Sequence, residues 1–68
     1  MATYQINYRQ KFHPSVVRAD LVSLARLTAG EFTHDGRSSG TITCPESYEW
    51  LIERATVSGL VQSSSKKG

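Results

Sequence analysis

The chain has 68 residues, a formal charge of +2, 38% hydrophobic residues and one cysteine, which describes a single small domain. The lone Cys44 excludes an internal disulfide framework and a multi-cysteine zinc site, and it suits a reducing compartment. No apolar run is long enough for a secretory signal or a membrane span, so the expectation is a soluble, cytoplasmic chain with no membrane partner.

At this size only about 60% of the unfolded surface can be buried. An apolar side chain left outside is therefore informative. Charge is polarised along the chain. Residues 1–30 sum to +3 through Arg9, Lys11, Arg18 and Arg26 against Asp20. Residues 31–60 sum to −3, and Lys66 and Lys67 restore the excess. Such a balance weighs against a simple nucleic-acid binder, which concentrates cations on one face.

In TYQINYRQKF, residues 3–12, Tyr4, Ile6, Tyr8 and Phe12 share one parity, and Thr3, Gln5, Asn7, Arg9 and Lys11 the other. This is the period of a half-buried strand. His13 and Pro14 end it, and proline suits the first turn of a helix. The run SVVRADLVSLARLTAG sets Val17, Leu21 and Leu24 at helical spacing, with Leu27 and Thr28 closing the stripe, which predicts a helix over 14–29. Gly30 is expected as its left-handed cap.

EFTHDGRSSGTITC reads as a hairpin. A two-residue turn at Asp35 and Gly36 would send Phe32 and Ile42 to opposite faces. Pairing Phe32 with Ile42 keeps both on one side and leaves a five-residue loop, Asp35 to Ser39. Thr43 and Glu46 then have capping-box spacing, predicting a second helix from Cys44 to about Ser58 with Gly59 as its stop.

The expected fold class is α+β: a small β-α-β-β-α domain over residues 1–60, with two helices packed on one face of a three-stranded sheet. A right-handed crossover would run the first strand parallel to the second, and strand order stays open. Residues 61–68 read as a flexible, serine- and lysine-rich tail.

On the second helix, Tyr48, Leu51, Ile52 and Ala55 form the apolar stripe, whereas Trp50 and Val57 point away from it. Arg54 lies one turn from each and can stack on the indole. Trp50, Arg54 and Val57 thus predict a partner-binding face, with a hairpin, a tail or a second chain as alternative covers for the indole. Glu46, Glu49 and Glu53 form an acidic strip beside it, suited either to the helix dipole or to a basic groove on a partner. The first-choice reading is a non-enzymatic protein-binding module, a regulator or inhibitor of a larger protein. A homodimer is a further possibility.

The alternative is a nucleic-acid-binding module using the polar parity of the first strand, with Arg9, Lys11 and Arg37 on backbone phosphates. That strand face lacks aromatics for stacking bases. Cys44 in a first helical turn is a weak candidate nucleophile, and His13 and His34 follow no ligand spacing with it. No glycine-rich phosphate loop or paired carboxylates are present. No catalytic residue, metal site or cofactor is expected.

Overall fold

The computed structural model describes residues 1–36, 38–57 and 59–67. Strand β1, Ala2–Tyr8, follows the expected alternation: Ala2, Tyr4, Ile6 and Tyr8 are buried, and Thr3, Gln5 and Asn7 face the other side. It is shorter than the sequence pattern suggests. Arg9 to Phe12 form a turn leading into the first helix.

Helix α1 spans Pro14–Leu27. His13 caps its start, its Nδ1 accepting from the Ser15 amide at 3.1 Å. Val17, Leu21, Leu24 and Ala25 are buried, and the stripe continues into Thr28, whose hydroxyl donates to the Leu24 carbonyl at 2.7 Å. Leu27 lies one residue off that stripe and is exposed, contrary to expectation.

The helix ends in a Schellman arrangement. The Gly30 amide donates to the Ala25 carbonyl at 2.8 Å and the Ala29 amide to Arg26 at 3.3 Å. The left-handed residue is Ala29, with φ 53°, and not Gly30. Gly30 is required for a different reason. A Cβ there would overlap the Thr43 carbonyl oxygen, so the chain passes too close to the neighbouring strand for any side chain.

Strands β2, Glu31–Asp35, and β3, Ser39–Cys44, form the predicted hairpin, with Phe32 opposite Ile42. Asp35 pairs with Ser39, so three residues rather than five connect the strands, and Gly36 takes φ 75°. The expected capping box does not form. Cys44 is the last residue of β3, fully buried and opposite Ala2. Pro45 accounts for this, because the residue before a proline is held in extended backbone. Thr43 turns to the open face of the sheet, its hydroxyl 3.1 Å from that of Thr3. A 3-10 turn over Glu46–Tyr48 then precedes helix α2, Glu49–Thr56, capped by Val57. The expected end at Ser58 lies outside the described residues.

The segment expected to be a tail supplies strand β4, Val61–Lys66, so the sheet has four strands instead of three. β4 pairs antiparallel with β1, placing Val61 opposite Tyr8 and burying it. Backbone pairing, which serine satisfies as well as valine, holds the rest. The strand order is β2-β3-β1-β4, with every neighbouring pair antiparallel. β1 and β2 are therefore parallel but separated by β3, and β3 and β4 parallel but separated by β1. These are two interleaved split β-α-β units, ferredoxin-like in connectivity. Both helices cover the same face, since Tyr8 donates to Asp20 on α1 and Tyr4 to Glu49 on α2.

Candidate partner-binding surface

At about 100° per residue, α2 turns Ile52 into the core with Leu51 and Ala55 beside it, and Trp50, Glu53, Arg54 and Val57 outward. Trp50 is 55% exposed and Val57 83%. The tail, one of the expected covers, is committed elsewhere. Leu60 packs against the core, Val61 is buried in it, and 61–66 are tied into the sheet. By contrast Tyr4 and Tyr8 are buried, and Phe32 and Tyr48 pack on the core.

The acidic strip divides. Lys66 at the end of β4 sits 3.4 Å from Glu46 and 3.9 Å from Glu49, and the Tyr4 hydroxyl donates to Glu49 at 3.3 Å. Burial, followed by the Glu49 carboxylate, raises the pKa of that hydroxyl above the ordinary tyrosine value. Glu53 is exposed beside Trp50 and also borders the hollow that Glu49 and Lys66 line. The two exposed ion pairs are worth about 0.2–1 kcal/mol each and mainly position β4 against α2. Cation–aromatic contacts among the described residues join Lys11 to Phe12 at 5.3 Å and Arg18 to Phe32 at 5.7 Å, and the stacking expected of Arg54 on Trp50 is not found.

No family model, curated protein or solved structure matches the chain. Its surfaces must be read from their own chemistry.

Arg9 and Lys11 are exposed at the end of β1, around a shallow hollow of about 480 Å³ with Gln10 and Gln62. The Tyr8 amide donates to the Ser38 carbonyl at 2.7 Å, bringing the hairpin loop to this end of the sheet. Arg37 lies outside the described residues. The open face carries Thr33, Thr41, Gln5 and Ser65 in one row and Asp35, Ser39, Asn7 and Ser63 in the next. Among the described residues it carries hydroxyls, amides and the Glu31 and Asp35 carboxylates but no ring.

Cys44 is a free thiol, enclosed at the end of β3. His13 spends its Nδ1 on capping α1, and the buried Nε2 of His34 has no hydrogen-bond partner. Two features escaped the sequence reading. The sequence pattern places Lys66 in a tail, and only strand pairing brings it to α2. Arg18, Val22 and Arg26, spaced i, i+4 and i+8 on α1, were legible as a row but not as part of a groove.

Proposed function

We propose that the chain is a non-enzymatic protein-binding module that engages a larger protein through the outer face of α2, as a regulator or inhibitor. The exposed indole of Trp50 carries this reading. Tyr4 and Tyr8 are buried and Phe32 and Tyr48 pack on the core, whereas Trp50 stays 55% exposed and so forgoes on the order of 1 kcal/mol of available burial. Val57 extends the apolar patch, and Glu53 and Arg54 flank it with opposite charges that set orientation. The complementary partner surface is an apolar pocket that admits the indole, bordered by one cation and one anion. Engagement of Glu46 and Glu49 by Lys66 makes a purely basic groove a poorer match.

The test is affinity capture with the wild-type chain and Trp50→Ala, with folding of both followed by circular dichroism. A folded variant that loses a captured protein supports the reading. A folded variant that retains every captured protein, or a wild type that only self-associates through this face, overturns it.

Nucleic-acid binding through the end of β1 and the hairpin loop is the second reading, favoured by Arg9 and Lys11 being exposed together around one hollow. Its signature is opposite in charge. Arg9→Glu with Lys11→Glu would abolish it and spare the α2 interaction.

A further inference from the structure

Strand β2 forms one edge of the sheet, and α1 runs along its core-facing side. Between them lies an open groove of about 430 Å³ lined by Val22, Ala25, Arg26, Gly30, Glu31 and Phe32. Arg18 closes its far end, the guanidinium 5.7 Å from the Phe32 ring centre. The helix wall thus reads cation, apolar, cation: Arg18, Val22, Arg26. Eight residues of helix place the two arginines about 12 Å apart along the axis. Residues i and i+4 of an extended strand lie about 13.6 Å apart on one side. A strand laid beside β2 therefore presents three side chains in register with those three residues.

The opposite parity of β2 also has a pattern. Glu31, Thr33 and Asp35 face the open side of the sheet, so an added strand meets two anions there. A second copy of this chain is a poor occupant. Antiparallel pairing of two β2 strands about Thr33 would set Glu31 against the other copy's Asp35 twice, and bring two arginine rows together.

We propose that the outer edge of β2 accepts an extended segment of another protein as a fifth, antiparallel strand. Its side chains facing α1 run acidic, apolar, acidic, and those facing the open side are basic or hydroxylated. The acidic residue opposite His34 meets Arg18, the apolar one opposite Phe32 enters against Val22, and the one opposite Gly30 meets Arg26. Lysines opposite Asp35 and Glu31 complete the match. Main-chain bonds supply affinity and the alternating pattern supplies selectivity, as in other strand-addition complexes. This surface lies at the sheet edge remote from β4, so it is independent of the α2 face.

The experiment titrates the 68-residue chain with a capped peptide, Thr-Lys-Asp-Thr-Val-Lys-Asp-Thr, followed by amide chemical shifts. Saturable shifts confined to β2 and the Arg18–Val22–Arg26 row, with slowed amide exchange in β2, are expected. Arg18→Glu with Arg26→Glu weakens binding about tenfold or more. Replacing both aspartates by lysine in the peptide restores it for that variant. Both arginines are exposed, so the variant keeps the wild-type dispersion elsewhere. Equal binding of a scrambled peptide of the same composition, shifts centred on Trp50, no shifts at all, or self-association through β2 without peptide would each overturn the proposal.

Discussion

Tyr8 donates its hydroxyl to Asp20 Oδ2 at 2.6 Å, joining the centre of the sheet to α1. The ring is buried and the carboxylate half-exposed, so the bond ties a core residue to the surface without leaving a charge in the interior. Tyr8→Phe keeps the ring and removes the donor. A hydrogen bond to a charged group contributes about 1.5–3 kcal/mol, and water access to Asp20 favours the lower end. The expected loss is about 1.5 kcal/mol, measured by urea unfolding.

The same pair sets an alkaline limit. Burial, then the Asp20 carboxylate, pushes the Tyr8 pKa far above its ordinary value. The unfolded chain releases this proton near pH 10, whereas the folded chain keeps it, so the folded state binds more protons there and stability falls as pH rises. Full stability from this group is present below about pH 10 and is lost progressively above it. Tyr8→Phe flattens that slope, and Tyr4, whose pKa is also raised, contributes in the same direction. Thermal melts at stepped pH values measure both slopes.

Trp50 is the chain's one tryptophan, so its fluorescence reports directly on the α2 face. Emission close to that of indole in water and efficient quenching by acrylamide are expected. Because the side chain is largely outside the core, Trp50→Ala changes folding stability by less than about 1 kcal/mol. Blue-shifted, quencher-resistant emission in a monomer would contradict this placement.

Ala29 and Gly30 respond oppositely to exchange. Ala29→Gly relieves a left-handed alanine, worth about 1–2 kcal/mol, and adds about 0.4–1 kcal/mol of unfolded-state entropy, for a net stabilisation of about 0.5–1 kcal/mol. Gly30→Ala forces a methyl into the Thr43 carbonyl and costs about 1–3 kcal/mol or more. Chemical denaturation of the two single variants distinguishes them by sign.

Deletion of residues 61–68 removes Val61 and strips β1 of a partner strand. Loss of cooperative unfolding is expected, in contrast to the small effect of removing a solvated tail. Lys66→Ala, which leaves the strand in place, costs less than about 1 kcal/mol, since the ion pairs it breaks are exposed. Circular dichroism melts of both variants measure the contrast.

Elements whose pattern arises from burial were legible in the chain itself. The parity of Tyr4, Ile6 and Tyr8, the Val17–Leu21–Leu24 stripe and the pairing of Phe32 with Ile42 follow from placing apolar groups on one side, and the outward phase of Trp50 follows from helical rotation. Four-strandedness was not legible, because β4 is held by backbone bonds to β1 and carries one buried apolar residue in VQSSSK. The start of α2 differs from the sequence expectation because Thr43 and Glu46 match a cap locally, whereas pairing of Cys44 with Ala2 and the constraint from Pro45 keep that stretch in the sheet.

Local periodicity thus determined which side of each recognised element faces the core. Only the tertiary structure decided what lies beside what: Lys66 against Glu46 and Glu49, and the arginine row of α1 against the edge of β2. These are meetings between segments distant in sequence or joined across a turn, selected by strand order, and strand order depends on the pairing of main-chain groups that every residue carries alike.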